Sequence, residues 1–378
     1  MKPNELFGKM DTPQLSALLI LGCTIVSLIA ANTAFGANYV GFWNLPLLNL
    51  SVHGHVLTVS MLVNDVLMPF FFLLIGLEIR EEFEIGSLSN VKTALLPVIA
   101  ALGGMILPAL IYFGFNHHSN AINGWGIPMA TDIAFALAIM TMLGNRVPTS
   151  LKLFLTTLAV ADDLGAVLVI AVFYTAELQM VYIALALLTA VVLIVSGRKL
   201  GWFWPVMAGG VLLWYFTLLA GIHTTIAGVI LAFAVPDEKS DKEGWLQQFL
   251  HLPVNLLVLP VFALSATAIS LGGFNAQQFR SGLMWGVIAG LVIGKAIGIY
   301  LFSRMAVRFR IANLPEGVNW RQLFGTSVLG GIGFTMSIFI ASLAFTSSAM
   351  VNEAKLAILI GSAIAATGGT MILFRKTA

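Results

Sequence analysis

Runs of about twenty apolar residues, the length that crosses the hydrocarbon layer of a bilayer, recur along this chain. They lie near 15–35, 56–78, 94–114, 123–143, 151–173, 180–197, 202–219, 221–235, 251–271, 283–303, 323–346 and 354–373. A spanning segment must satisfy its own backbone N–H and C=O groups, which a helix does. The runs therefore predict an all-α polytopic membrane protein with twelve transmembrane helices. The seventh and eighth are separated by almost nothing, and the eighth ends at Pro236. Composition agrees: only 10% of the 378 residues are charged and 59% are hydrophobic, against about 25% charged in soluble domains. A water-soluble fold is excluded.

Lysine and arginine set the orientation, because cytoplasmic loops accumulate them. Sorting them by loop puts Lys2, Lys9, Arg80, Lys92, Arg146, Lys152, Arg198, Lys199, Lys239, Lys242, Arg304, Arg308, Arg310, Arg321, Arg375 and Lys376 on one side. Only Arg280 and Lys355 fall opposite, and Lys295 lies inside a span. Both termini are expected in the cytoplasm, as an even number of spans requires. The first run, followed by "AFGA" at Ala34–Ala37, loosely resembles a cleaved signal. At about 20 residues it exceeds the usual 7–15-residue signal core, and it is retained as a span. Cys23, the sole cysteine, excludes an internal disulfide and a cysteine-based metal cluster. No stretch points to nucleic acid. Residues 1–378 read as a single transmembrane domain, with Pro236–Trp245 as its most polar loop. The first outside loop, "LPLLNLSVHGHVLTV", alternates apolar and polar residues around His53-Gly54. It reads as a β-hairpin whose edge can pair with a second copy, or as an irregular loop on the membrane surface.

Charges inside the spans carry the chemistry. "LAVADDLGAVLVIAVF", Leu158–Phe173, holds two adjacent aspartates in an otherwise apolar run. An ionised group at the centre of a membrane helix costs roughly 2.5–3.5 kcal/mol. Unpaired, Asp132, Asp162, Asp163 and Lys295 would together cost on the order of 10 kcal/mol, comparable to the stability of a whole domain. They must face water or one another, as a functional site or as an ion pair that only holds helices together. Neighbouring helix positions point about 100° apart. Asp162 and Asp163 therefore cannot share one narrow contact, but they can line one aqueous funnel from two sides. Burial and a like charge nearby both favour a neutral carboxyl, and carboxylate oxygen is the ligand that small hard cations prefer. A proton and a cation then compete for the pair: ionised it holds the cation, protonated it lets go. Lys295 in "LVIGKAIGIY" is a partner for one aspartate that an arriving cation displaces, or a lysine that snorkels to the interface.

Two spans contain breaking residues. "GIPMATDIAFALAIM" places Pro128, Thr131 and Asp132 in the fourth, and "LGGIGFTMSIF" places Gly330, Gly331 and Gly333 with Thr335 and Ser337 in the eleventh. Each glycine weakens a helix by about 1 kcal/mol relative to alanine, although glycine also lets membrane helices pack closely. Breaks in both halves point to the site of a repeat-built transporter. A broken helix exposes about half an elementary charge at each new end. Asp132 can compensate the positive ends and Lys295 the negative ones; Thr131-Asp132 also fits a plain N-cap. Asp65 in "VNDVLMPFF" is a further acid within a span. Glu78, Glu81, Glu82 and Glu84 in "GLEIREEFE" form either an acidic mouth that attracts cations or an exposed charged loop. His223, near an outer helix end, is expected as a hydrogen-bonded structural residue.

With these residues assembled, the chain resembles the NhaA family of bacterial sodium/proton antiporters. The resemblance rests on "FFLLIGLEIREE", "PVIAALGGMILPALIY", "ATDIAFALAI", "LAVADDLGAVLVIAVFY", "GIHTTIAGVI", "LVIGKAIGI" and "GGIGFTMSIFIASLAF". These reach from about Leu62 to Leu373, and "TDIAFA", "DDLGA" and "GIGFTMSIFIASLAF" are the most specific. The resemblance implies a twelve-helix inverted-repeat fold whose fourth and eleventh helices are interrupted and cross near mid-membrane. It implies a multi-pass transporter of the bacterial inner membrane, not an enzyme, without cofactor, whose transported ions are Na+ or Li+ and H+. Asp162 and Asp163 become the cation and proton site, with Thr131 and Asp132 close by and Lys295 paired to Asp162. Exchange is expected to be electrogenic and raised at alkaline pH, with a homodimer held through the hairpin.

One departure matters. Where the family's best-known members carry a Glu-His pair, "LQQFLHLPV" has Gln247 and Gln248 and keeps His251. Neither glutamine titrates, which leaves Asp65, Glu78, Glu81, Glu82 and His251 for pH sensing or cation access. Three other readings fit less well. An intramembrane aspartyl protease needs its aspartates on facing helices with a shared proton, which Lys295 would suppress. A sodium-coupled symporter of an organic anion needs a cationic cavity, and Lys295 is the sole lysine or arginine deep within a span. A passive cation channel is opposed by the same lysine.

Overall fold

The computed structural model describes residues 12–52, 55–174, 179–236, 244–273 and 278–375. The His53-Gly54 turn, loop residues 237–243, and Lys2, Lys9, Lys239, Lys242 and Lys376 lie outside the described residues.

Among the described residues, nine helices are long and apolar enough to cross a membrane. They are Gln14–Ala31, Val59–Glu84, Val91–Asn116, Ile122–Met142, Thr149–Phe173, Met180–Arg198, Trp245–Ala266, Gly282–Arg308 and Ser348–Phe374. Trp320–Leu329 and Phe334–Ala344, bent by 45°, make a tenth when taken as one span. Phe203–Leu219 and Thr225–Ala234 are apolar but shorter. The run expected from 251 begins earlier, at Trp245. Leu246 and Leu250 follow the four-residue spacing of a helix face and bury beside Val254 against Leu73, Leu74 and Leu77, so the glutamines between them are carried into the helix. Pro46–Val52 and His55–Thr58 pair antiparallel, Val52 opposite His55 and Pro46 opposite Thr58. Of the two readings of the first loop, the hairpin is the one found.

Side-chain size decides which helix faces turn inward. On Met180–Leu200 the buried residues are Ala186, Ala190, Leu193 and Gly197, while Leu187, Leu188 and Val191 are about 60% exposed. Lipid is as apolar as leucine, so packing selects small residues that let backbones approach. That helix stops at Gly201, whose φ of 68° is the left-handed conformation glycine adopts without strain.

The packing forms two compact units, Met1–Gly22, Asn90–Ala166 and Gly273–Ala378 in one and Cys23–Ser89 with Val167–Gly272 in the other. In the first unit the Val91–Asn116 helix meets Lys295–Arg308 at glycine. A Cβ on Gly103 would lie 2.4 Å from the Gly298 carbonyl oxygen, and one on Gly298 2.2 Å from that of Gly103. In the second unit, two helices contain wide π-turns at Val63–Leu67 and Val254–Val258. The sequences there, "VNDVLMPFF" and "VNLLVLPVF", share V-N and P-x-F at the same spacing. Proline has no N–H, so the carbonyl four residues earlier loses its helical partner. For Pro69 that carbonyl belongs to Asp65, and it accepts from Trp214 Nε1 at 2.6 Å and Thr224 Oγ1 at 3.0 Å.

Candidate functional site

Two places where helical backbone gives out lie side by side in the first unit. A 3-10 helix, Ile122–Met129, is followed by Ala130 in extended conformation, and α-helix resumes at Ile133. Trp320–Leu329 ends before Gly330, and Phe334–Ala344 starts after Gly333. The two meet through backbone as well as side chains: the Asp132 N–H donates to the Ile332 carbonyl at 2.6 Å. The Phe135 and Phe334 rings stand edge to face, 4.9 Å between centroids.

Helix ends expose unpaired N–H and C=O groups, and polar side chains meet them here. Asp132 Oδ1 accepts from its own half-helix at Phe135 N, 3.2 Å. Its Oδ2 accepts from Thr335 N, 3.1 Å, at the start of the other half-helix, and from the Thr335 hydroxyl. One carboxylate thus caps two positive helix ends. Ser337 Oγ donates to the Ile127 carbonyl at 2.7 Å, and Lys295 Nζ donates to the Met129 carbonyl. A cation and a hydroxyl therefore serve the negative end of the 3-10 helix.

Lys295 also forms an ion pair with Asp162 Oδ2, both side chains being fully buried. Thr131 Oγ1 lies 2.9 Å from the same carboxylate oxygen and 2.9 Å from the Gly330 carbonyl. Among the described residues, Asp162 Oδ1 has no hydrogen-bond partner. Asp163 is buried one position along the same helix. The structure therefore brings Asp162, Thr131 and Lys295 into direct contact, with Asp132 next to Thr131 in the chain. Full burial rules out snorkelling for Lys295.

A buried pair of this kind is a poor source of stability, because desolvating two charges offsets most of their attraction. Removing one partner is costly, roughly 3–5 kcal/mol. The arrangement is chemically bistable: anything cationic that takes the Asp162 oxygens must displace the ammonium. Among the described residues, no three His, Cys, Asp or Glu side chains converge to hold a resident metal ion.

The other candidates sit in the second unit. Asp65 lies within the first wide turn. Glu81 Oε2 accepts from Gln247 Nε2 at 2.9 Å, and Glu82 Oε1 from Ser87 N at 2.9 Å. Glu78 and His251 are partly buried. Glu84 joins Arg80 and Arg198, both at 3.1 Å, and those guanidiniums reach the last carbonyls of Thr225–Ala234 and the residue beyond it, at Val235, 2.6 Å, and Phe233, 3.0 Å. Glu84 is thus both exposed to solvent and bound up in holding a helix end, whereas Glu81 and Glu82 are partly buried. His223 Nε2 lies 2.7 Å from the Tyr174 carbonyl, the structural contact expected of it.

The sequence placed the uncharged Thr131 at the site and Thr335 and Ser337 at a break, but assigned those two no partner. Thr335 had a signal, a hydroxyl in the first turn of a half-helix, whereas the Met129, Ile127 and Gly330 carbonyls have none, since every residue carries one.

Comparison with known proteins covers nearly the whole chain. The profile of the family described as Na+/H+ antiporter 1 matches residues 9–373. The Na(+)/H(+) antiporter NhaA of Cytophaga hutchinsonii is 46% identical over 378 residues, covering 99% of this chain and 96% of that protein. The protein of the same name from Flavobacterium psychrophilum is 46% identical over 370 residues, 97% and 94% of the two chains. Na(+)/H(+) antiporter NhaA 2 of Flavobacterium johnsoniae is 48% identical over 365 residues, 94% and 89%.

Proposed function

We propose that this chain, which belongs to the Na+/H+ antiporter 1 family, exchanges sodium ions for protons across a membrane. The observation that carries the reading is the buried contact of Asp162 with Lys295 and Thr131 beside Asp163. Protons and Na+ or Li+ occupy the Asp162/Asp163 oxygens by turns. When a cation arrives, Lys295 is displaced and protons leave the carboxyls; when protons return to the carboxyls, the cation leaves and Lys295 moves back against Asp162.

On this reading residues 1–378 act as one transporter domain of twelve spans, with Phe203–Leu219 and Thr225–Ala234 as the seventh and eighth. The fourth and eleventh spans are interrupted and cross, and Asp132 and Lys295 compensate their ends. The shared V-N and P-x-F strings support an inverted repeat. Both termini are cytoplasmic and the protein resides in a bacterial inner membrane, where it maintains sodium and pH homeostasis. Exchange is electrogenic, more protons moving inward than sodium or lithium outward. The Pro46–Thr58 hairpin joins two copies. Activity rises at alkaline pH, with a response shifted by Gln247 and Gln248.

The test is proton flux in sealed everted vesicles on addition of sodium, lithium or potassium. Sodium and lithium are expected to release the proton gradient and potassium to do little. Asp162→Asn and Asp163→Asn are expected to lose the response, and full exchange by either would remove the proposed site.

A further inference from the structure

The lysine of the site does not reach it along an ordinary helix. Its helix, Gly282–Arg308, is interrupted by a π-turn at Gly290–Gly294. The N–H of Lys295 itself closes that turn, donating back to the Gly290 carbonyl five residues earlier. A π-turn holds one residue more than an α-turn, so the helix beyond it is rotated by about 100° against a straight continuation. Lys295 is the first residue after the rotation.

The wide turn is seated on the surroundings of the site. A Cβ on Gly290 would stand 2.7 Å from Pro128 Cβ, one residue before the Met129 carbonyl that Lys295 holds. A Cβ on Gly294 would stand 2.7 Å from Pro108 Cα of the neighbouring helix. On another side, the Leu291 carbonyl oxygen lies 2.3 Å from where a Cβ on Gly331 would be, and its Cδ2 2.8 Å from one on Gly333. The turn therefore touches both helix breaks, against Pro128 at one and Gly331 and Gly333 at the other. Ile293, by contrast, is half exposed.

We infer that the Gly290–Gly294 wide turn is a positioning element for exchange: its width absorbs an extra residue and so aims Lys295 at Asp162 and the Met129 carbonyl, and Gly290 and Gly294 are required to seat it. The inference rests on the reading of Asp162 as the exchange site. It assigns a role to backbone register rather than to a side chain.

The experiment changes the residue count. An ordinary α-turn over the same residues would leave Lys295 about 100° off the site, whereas an α-turn one residue shorter aims it where the wide turn does. Inserting an alanine after Ile293 is therefore expected to turn Lys295 away, and deleting Ile293 to leave it facing Asp162. In everted vesicles, with expression and melting temperature checked on purified protein, the insertion is expected to lower sodium-driven proton flux at least tenfold and to shift the pH profile in the same direction as Lys295→Ala. The deletion is expected to retain more of the flux than the insertion and to keep the wild-type profile. Should the insertion fail to fold, Gly290→Ala serves, since its methyl pushes the turn off Pro128; it too is expected to shift the profile as Lys295→Ala does. An unshifted pH profile in whichever of these two variants folds overturns the inference, as does a deletion whose loss and pH shift equal those of the insertion. Asp162→Asn is run alongside: full exchange by it refutes the site reading, whereas a dead Asp162→Asn beside a normal insertion refutes the wide turn alone.

Discussion

The Thr131 hydroxyl has one proton and two acceptors at equal distance, Asp162 Oδ2 and the Gly330 carbonyl, each 2.9 Å away. It donates to one at a time. An ionised Asp162 is the stronger acceptor, because hydrogen bonds to charged groups are roughly twice as strong as neutral ones. Once Asp162 is protonated, the hydroxyl turns to Gly330 at the break of the other span. Thr131→Ser keeps this choice and is expected to exchange within about twofold of wild type, whereas Thr131→Val loses both bonds. Loss of a hydrogen bond to a charged group, about 1.5–3 kcal/mol, predicts sodium affinity lower by about tenfold or more, read as the half-maximal sodium concentration in the vesicle assay. Lys295→Ala leaves Asp162 buried without its partner and is expected to lower the melting temperature. Added sodium should restore more stability to that variant than to wild type, because the ion takes the ammonium's place. At this scale the charged members were legible for one reason, that ionised groups in an apolar run cost too much to be incidental. The Met129 and Gly330 carbonyls were not, since a backbone acceptor has no letter of its own.

Each break leaves a half-helix whose new end needs a partner, and Asp132 serves two of them through separate oxygens. Asparagine offers one carbonyl oxygen and so keeps one cap, while alanine keeps neither. A lost cap costs about 1 kcal/mol, so Asp132→Ala is expected to melt below Asp132→Asn, and Asp132→Asn below wild type, by scanning fluorimetry in detergent. An order reversed between the two variants would show that charge, not capping, dominates there. Glycine, proline and the Thr131-Asp132 pair signalled where helix gives out, because each removes something a continuous helix uses. The wide turns were hidden. A π-turn costs no apolar residue and leaves hydropathy unchanged, so "LVIGKAIGIY" looks like any spanning run until its hydrogen bonds are traced. The likeness of "VNDVLMPFF" to "VNLLVLPVF" was readable, but nothing in residue type says that V-N…P marks a wide turn rather than a proline kink. At Trp245 the apolar pair Leu246 and Leu250 extended a helix that hydropathy alone started too late.

Competition at one site has a consequence for the whole transporter that separates it from any scheme with a distant regulator. If protons and sodium take the same oxygens by turns, acidification must weaken sodium binding. Each competing proton lowers the apparent affinity about tenfold per pH unit on the acid side of the site's own titration, by linkage of the two equilibria. The limiting slope therefore counts protons displaced per sodium: near one for Asp162 or Asp163 alone, approaching two when both carboxylates release. Electrogenic exchange, with more protons inward than sodium outward, requires the steeper limit. A remote sensor among Glu78, Glu81, Glu82 and His251 would act differently, scaling the maximal rate while leaving the half-maximal sodium concentration alone. Measuring that concentration from alkaline to acidic pH, with rate recorded separately, distinguishes the two. The expected outcome is a half-maximal concentration that climbs steeply on acidification, at a slope above one, with Gln247→Glu moving the rate profile but not the slope. A half-maximal concentration independent of pH would end the single-site account, whichever residues sense the pH.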